Sequence, residues 1–308
     1  MRVVFMGTPD FAVPSLKLLA EQHEVVLVLT RPDAVRGRGK KLEPSPVKAA
    51  AAGLGIPVIE TNRCTPEVIE RLKATEADIY CVAAFGCILP DEVLNIAPLG
   101  IVNVHASLLP RWRGAAPIQH AILAGDELAG VSIMRIGHGV DTGAYCAQAS
   151  TTVAGKSADE LTSELAQLGA ELLCKTVPTL AEGTAVWTEQ DEALVTHAEK
   201  ISKAEMRLDP AASALDNVRR VLASSDTAPA RCMLCGKPVR VMAALAAGDA
   251  PVTPACGEVV KHGKRIFMGC ADAAIELVQV KPDGKRQMDA LSWAAGLQGA
   301  PMTWEKLS

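Results

Sequence analysis

Residues 100–119 read GIVNVHASLLPRWRGAAPIQ. A short apolar run, Ile101 and Val102, is interrupted by Asn103 and, after Val104, by His105. Side chains alternate along a strand, so Asn103 and His105 share a face and aim an amide and a titratable imidazole at one spot. Ser107-Leu108-Leu109-Pro110 stops the strand in a turn, and Ala115-Ala116-Pro117-Ile118-Gln119 reads as a helix start. A second polar group, Gly139-Val140-Asp141-Thr142-Gly143, ends another apolar run over 131–136. An Asp among glycines is often only a turn residue. Two strand ends carrying Asn, His and Asp can instead bring an amide, a base and its carboxylate partner to one cleft. Spacing alone leaves both readings open.

Upstream of this stretch, strand and helix signals alternate. Apolar runs at 2–6, 25–29, 57–59, 78–84 and 101–105 predict strands, and 11–20, 47–52, 66–74 and 90–96 predict helices. Repeated βα units with near-continuous apolar strands predict an α/β fold, a mostly parallel doubly wound sheet covered on both faces. Downstream, 145–153 reads as a strand, and Ser157-Ala158-Asp159-Glu160 is a capping box opening a long helix over 161–180. Residues 187–206 show little periodicity and read as a linker crossing the surface. After a helix at 211–223 come short β-like pieces separated by Gly and Pro, predicting a C-terminal small open β-barrel, OB-like in character. The expected domains are therefore 1–186, a linker over 187–206, and 207–308.

The chain has 308 residues, room for two ordinary cores, and is 49% hydrophobic against 21% charged. No apolar run approaches the roughly 20 residues that span a bilayer, and the N-terminal run is too short for a signal peptide. A cytoplasmic protein without a membrane partner is expected. Nine cysteines, an odd count, rule out a complete internal disulfide framework. Cys232 and Cys235 have half of a zinc-site spacing with no second half, so packed or redox-sensitive thiols are the simpler expectation and no metal is invoked. The net charge is −4, but the signs separate: residues 1–205 carry 18 Lys/Arg and 25 Asp/Glu, and 206–308 carry 13 and 10. A mildly basic tail suits a phosphate-bearing partner.

Two loops complete the reading. Gly7-Thr8-Pro9-Asp10 lacks the G-x-G-x-x-G spacing, which disfavours an NAD enzyme; it reads as a capped tight turn or as backbone lining one edge of the cleft. Residues 31–41, RPDAVRGRGKK, set Arg31, Arg36, Arg38, Lys40 and Lys41 against Asp33. Such a loop is commonly a solvated segment, but it follows the second strand, at the edge where open α/β sheets bind ligands.

The residues carry more than their spacing. Asn103, His105, the Ser-Leu-Leu-Pro turn at 107–110, Arg113-Gly114 and Asp141 together resemble the folate-dependent formyltransferases. Phe5-Met6-Gly7-Thr8-Pro9-Asp10, Arg38-Gly39-Lys40-Lys41 and Arg111-Trp112-Arg113-Gly114 extend the resemblance, dense over 1–205, toward members that act on charged initiator tRNA. The resemblance implies formyl transfer from 10-formyltetrahydrofolate to the α-amino group of methionyl-tRNA by a monomer. It implies Asn103, His105 and Asp141 as catalytic residues. Folate would be bound by Phe85, Gly86, Cys87, Ile88 and Leu89 and by Ser107, Leu108, Leu109 and Pro110. Arg36, Arg38, Lys40 and Lys41 would meet the tRNA 3′ end. Arg113 and Gly114 are structural on this reading, with Arg113 either anchoring the 107–110 loop or sitting in an ion pair. Lys261, Lys264, Arg265, Lys281, Lys285 and Arg286 are candidates for the phosphate backbone, with solvating charge as the alternative. Phe85 stands where the family often has Tyr, and Asp209-Pro210 where it often has Trp. Three rivals remain: formylation of a small amine, release of formate by water, and tRNA binding without catalysis.

Overall fold

The computed structural model describes residues 1–36, 41–297 and 302–307. The elements of the first half are β1 (Arg2–Gly7), α1 (Val13–Gln22), β2 (Glu24–Thr30), β3 (Ala34–Arg36), β4 (Lys41–Glu43), α2 (Pro46–Gly53), β5 (Val58–Glu60), α3 (Pro66–Lys73), β6 (Ile79–Ala83), α4 (Asp91–Leu94) and β7 (Ile101–His105). There follow β8 (Arg113–Gly114), α5 (Pro117–Ala124), β9 (Leu128–Arg135), β10 (Tyr145–Thr152), α6 (Ala158–Ala181) and β11 (His197–Ala198). The helix starts use local chemistry: Pro occupies the first turn of α1, α2 and α3, and Ser45 caps α2 by accepting from Lys48 N–H at 3.0 Å. Ser157 and Glu160 close the expected capping box, the Ser157 N–H reaching the Glu160 carboxylate at 2.8 Å.

Among the described residues, seven strands form a sheet in the order β10-β9-β7-β6-β1-β2-β5. The pairs from β5 to β7 are parallel, while β9 and β10 are antiparallel additions beyond β7. The mostly parallel sheet is as expected, and β1, β2, β6 and β7 are buried almost throughout because both faces are covered. From β1 the chain winds toward β2 and β5, then returns to place β6 and β7 on the other side of β1. The crevice outside the carboxyl ends of β1 and β6 is therefore a topological switch point, where such sheets bind ligands. Gly7, Ala83 and His105 all end strands at that edge.

The remaining elements are α7 (Ala214–Leu222), β12 (Arg231–Leu234), β13 (Lys237–Ala246), β14 (Val259–His262), β15 (Arg265–Gly269), β16 (Ala274–Pro282), β17 (Met288–Asp289), α8 (Ala290–Ala295) and β18 (Trp304–Glu305). Their sheet runs β14-β15-β16-β13-β12-β18, with β17 on β16, and one bridge between Glu258 and Thr303 brings the two ends close to closure. This is the expected barrel. Its core holds Val239, Val241, Ile266, Leu277 and Val280 with Cys232, Cys235 and Trp304. Cys232 and Cys235 thus pack as apolar side chains, and burial pushes the Cys232 thiol up to about 12.

The chain divides into two compact units, one of Met1–Pro117, Leu128–Thr152 and Thr162–Ala198, the other of Ile118–Glu127, Val153–Leu161 and Glu199–Ser308. The stretch expected to be a surface linker is not uniformly exposed. Gln190, Ala198 and Met206 are buried, and β11 pairs with β8. Periodicity missed this because the contacts are to residues far away along the chain, 49 positions for Gln190 with Asp141 and 79 for Glu192 with Arg113.

Candidate active site

At the carboxyl end of β7, His105 is buried at 5% exposure while Asn103 is partly open. The His105 Nε2 lies 3.0 Å from the Trp112 carbonyl, and Nδ1 lies 3.5 Å from Asp141 Oδ2. Both ring nitrogens therefore face oxygen acceptors. Asp141 Oδ2 also accepts the Gly114 N–H at 3.0 Å, so the carboxylate joins the end of β7 to β8. By contrast, no described residue engages the Asn103 amide in a hydrogen bond. The structure thus brings together the three residues expected to be catalytic, and it leaves the amide donors open while the imidazole is held.

Asp141 itself adopts φ 52°, a left-handed conformation that Asp tolerates better than most residues. It is pinned there by a residue the sequence reading missed. Gln190, 9% exposed, donates to the Asp141 carbonyl at 2.8 Å and to the Gly143 carbonyl at 2.7 Å, and its Oε1 accepts from Arg113 Nε at 2.8 Å. Gly143 permits this turn: a Cβ there would sit 2.1 Å from the Arg135 carbonyl oxygen. Gly114 has φ 122° and passes so close to the Ala198 carbonyl oxygen, 2.7 Å from a hypothetical Cβ, that only glycine lets β8 pair with β11.

Arg113 turns out to sit in an ion pair and not to hold the 107–110 loop. Its guanidinium, 5% exposed, meets Glu192 at 2.8 Å as well as Gln190. The loop is held instead by Ser132, whose hydroxyl donates to the Ser107 carbonyl at 2.7 Å and accepts the Leu109 N–H at 3.1 Å. Gln148 donates to the Leu109 carbonyl and to Ser132 Oγ, both at 2.9 Å. Thr196 completes the frame by accepting the Trp112 N–H at 2.9 Å.

Across the switch point, Thr8 on the loop after β1 donates to the Phe85 carbonyl at 2.9 Å. Phe85 is buried, Ala84 and Gly86 have positive φ, and Ile88 projects outward at 91% exposure. Among the described residues no backbone hydrogen bond engages the N–H or C=O groups of Gly86, Cys87, Ile88 or Leu89. Cys87 donates its S–H to the Asn62 carbonyl at 2.6 Å. Open backbone donors and acceptors beside an exposed apolar side chain suit a flat heterocycle with polar edges. Arg38 and Lys40 lie outside the described residues. The backbones of Arg36 and Lys41 stand opposite each other in the β3–β4 pair.

Comparison with known proteins agrees with this geometry. A formyl transferase family model matches residues 1–177, and the model of the formyl transferase C-terminal domain matches residues 200–298. The methionyl-tRNA formyltransferase of Methylococcus capsulatus is 44% identical over 94% of this chain and 95% of its own. That of Novosphingobium aromaticivorans is 46% identical over 96% and 97%. The crystal structure of HypX from Aquifex aeolicus in complex with tetrahydrofolic acid superposes on all of this chain with a TM-score of 0.67 at 18% identity. The chain spans half the length of that protein, and the likeness establishes the fold. Fold and site thus define a two-domain formyltransferase. The chain belongs to the methionyl-tRNA formyltransferase family.

Proposed function

We propose that the chain transfers the formyl group of 10-formyltetrahydrofolate to the α-amino group of methionyl-initiator-tRNA, giving formylmethionyl-tRNA for translation initiation. The observation that carries the chemistry is the open Asn103 amide beside the His105–Asp141 pair at the carboxyl end of β7. Bound 10-formyltetrahydrofolate supplies the formyl carbon that the amine attacks. The Asn103 amide donates to the formyl oxygen as negative charge develops there, the step at which a donor fixed in advance is worth most. An α-amine with an ordinary pKa of about 7.7–8.0 is partly neutral near pH 7, so activating it asks less of the protein. Asp141 orients His105; as the tetrahedral intermediate collapses the bond from the formyl carbon to N10 breaks, and the proton given up by the amine reaches N10 through this pair or an ordered water, so that tetrahydrofolate leaves.

The 85–89 loop and the 107–110 loop flank this point, and we assign them to the folate: Phe85, Gly86, Cys87, Ile88 and Leu89 to the ring edge, Ser107, Leu108, Leu109 and Pro110 to the opposite wall. Residues 1–186 form the catalytic domain on this reading and 207–308 the tRNA-holding domain, with 187–206 joining them and lending Gln190 to the site. Arg36, Arg38, Lys40 and Lys41 meet the 3′ end of the tRNA. Every assigned catalytic residue lies on one chain, so a monomer suffices, and a reaction that serves translation belongs in the cytoplasm.

The test is folate turnover with and without charged methionyl-tRNA, with formate measured in parallel. Tetrahydrofolate release that requires the charged tRNA is expected. Formate released without it would make the enzyme a hydrolase.

A further inference from the structure

Two cysteines of the C-terminal barrel face each other across neighbouring strands, and the plain register hides it. β14 and β15 pair Val259 with Met268 and Val260 with Phe267, which carried outward would set Cys256 against Ala271. One extra residue intervenes. Gly257, at φ 79°, donates its N–H to the Gly269 carbonyl at 3.0 Å, and the Gly269 N–H donates to the Glu258 carbonyl at 2.9 Å. Gly257 and Glu258 thus both stand opposite Gly269, a bulge that shifts the pairing by one residue. The Glu258 N–H leaves the ladder and closes a turn onto the Ala255 carbonyl at 2.8 Å. Beyond the bulge, Cys256 comes opposite Cys270. The Cys270 N–H donates to the Ala273 carbonyl at 2.9 Å and not across to Cys256, so the two cysteines form a non-hydrogen-bonded pair. In such a pair the Cα atoms lie about 4.5 Å apart, within the roughly 4.4–6.8 Å that a disulfide bridges.

The sulfurs lie against one segment as well. The Cys256 S–H donates to the Pro210 carbonyl at 3.2 Å. The Cys270 Sγ accepts from Asn217 Nδ2 at 3.5 Å, and that nitrogen also donates to the Asp209 carbonyl at 2.8 Å. Their exposures differ. Cys256 is open to solvent, whereas Cys270 is 5% exposed, and burial pushes its thiol up to about 11. Cys270 is thus shielded from an oxidant in solution but not from its neighbour. Cys232 and Cys235, by contrast, are both buried.

We infer that Cys256 and Cys270 are a peroxide-sensitive dithiol, an exposed sulfur that takes the oxidant and a buried one that resolves it as a disulfide. The Cys256 thiolate attacks one peroxide oxygen, the O–O bond breaks, and the departing hydroxide takes up a proton to leave as water. Cys256 then carries a sulfenic acid. The Cys270 sulfur attacks the Cys256 sulfur, the S–O bond breaks, and hydroxide leaves as water with the Cys270 proton. Two thiols and one peroxide give one disulfide and two waters, with two electrons passing from sulfur to oxygen. Side-by-side placement makes the second step intramolecular, which offsets the low thiolate content of Cys270. The Asn217 N–H on its sulfur favours the thiolate further. The inference is independent of what the catalytic domain formylates.

The test treats the full reduced chain with hydrogen peroxide, blocks the remaining thiols under denaturing conditions, and maps tryptic peptides by mass. Lys261, Lys264 and Arg265 lie between the two cysteines, so trypsin separates them unless a disulfide joins the fragments. The expected result is a linked pair of peptides, loss of both free thiols in step, and recovery of both with dithiothreitol. Cys256→Ser should leave Cys270 reduced at the same dose. Cys270→Ser, where it folds, should let Cys256 run on to sulfinic acid. In the wild-type chain, Cys256 oxidised past sulfenic acid or bonded to a second chain, with Cys270 still reduced, would overturn the pair. So would two unreacted thiols, or equal loss of the Cys270 thiol in the Cys256→Ser variant.

Discussion

Gln190 is the residue on which the site's geometry turns, because one side chain satisfies Arg113 and two carbonyls of the Asp141 turn. Gln190→Ala leaves a buried guanidinium N–H and two carbonyls short of partners, at a cost of about 1–3 kcal/mol for each group left unsatisfied. Gln190→Glu keeps an acceptor for Arg113 but cannot donate to the carbonyls. Both variants are expected to lower kcat, and a calorimetric scan should show a lower Tm; a glutamate variant with full activity would mean the carbonyl contacts are idle. Asn103→Ala should lower kcat by about 10²–10³ with the circular dichroism spectrum unchanged, the usual loss for one donor to a developing oxyanion; Asp141→Ala removes the partner that orients His105 and should lower kcat by about 10²–10⁴, the usual worth of a positioned acid–base group. The candidate catalytic residues were legible because their signals are local: alternation pairs Asn103 with His105, and glycines bracket Asp141. Gln190 gave no such signal, since a glutamine in a polar stretch looks the same whether it faces water or a turn 49 positions away.

At the scale of elements, the basic hairpin is tied down by Lys48, which reaches Asp33 and Glu60, each at 2.7 Å. The Lys48 hydrogen bond holds the Asp33 carboxyl below the usual carboxylate range. A depressed carboxyl stabilises the fold above its unfolded value, about 3.9, and that contribution is lost as pH falls through the lower folded value. The protection of the Asp33 amide, its exchange rate relative to that of the unfolded chain at the same pH, should therefore fall in acid below pH ~4 and hold steady above it; this N–H donates to Glu60 at 3.0 Å. In the barrel, Trp304 is 2% exposed and donates from Nε1 to the Gly269 carbonyl at 2.9 Å, closing the sheet through a strand of two residues. Trp304→Ala should destabilise this unit by about 3–5 kcal/mol, read as an earlier urea transition of the barrel. So short a strand lies below what periodicity resolves, which is why the barrel's middle strands were legible and its closure was not. The β8–β11 pair escaped for the same reason, with two residues on each side.

Over the whole molecule, alternating apolar runs revealed the doubly wound sheet because each βα unit announces itself within a dozen residues. The antiparallel β9–β10 extension and the folding of 187–198 back onto the site depend on contacts across the chain. Thiol burial gives a global check. Cys256 is exposed, whereas Cys81, Cys174, Cys232, Cys235 and Cys270 are buried, and burial pushes Cys174 and Cys270 up to about 11. A thiol reagent should label Cys256 first in the native protein and reach those five only on unfolding; early labelling of Cys232, read by peptide mass, would contradict the barrel packing. The charge separation between an acidic first part and a basic tail frames the central claim that one chain joins formyl chemistry to tRNA recognition. The most direct test is formyl transfer from 10-formyltetrahydrofolate to charged initiator tRNA, run beside charged elongator methionine tRNA. Transfer selective for the initiator is the predicted result; transfer to a small amine, with neither tRNA formylated, would contradict it.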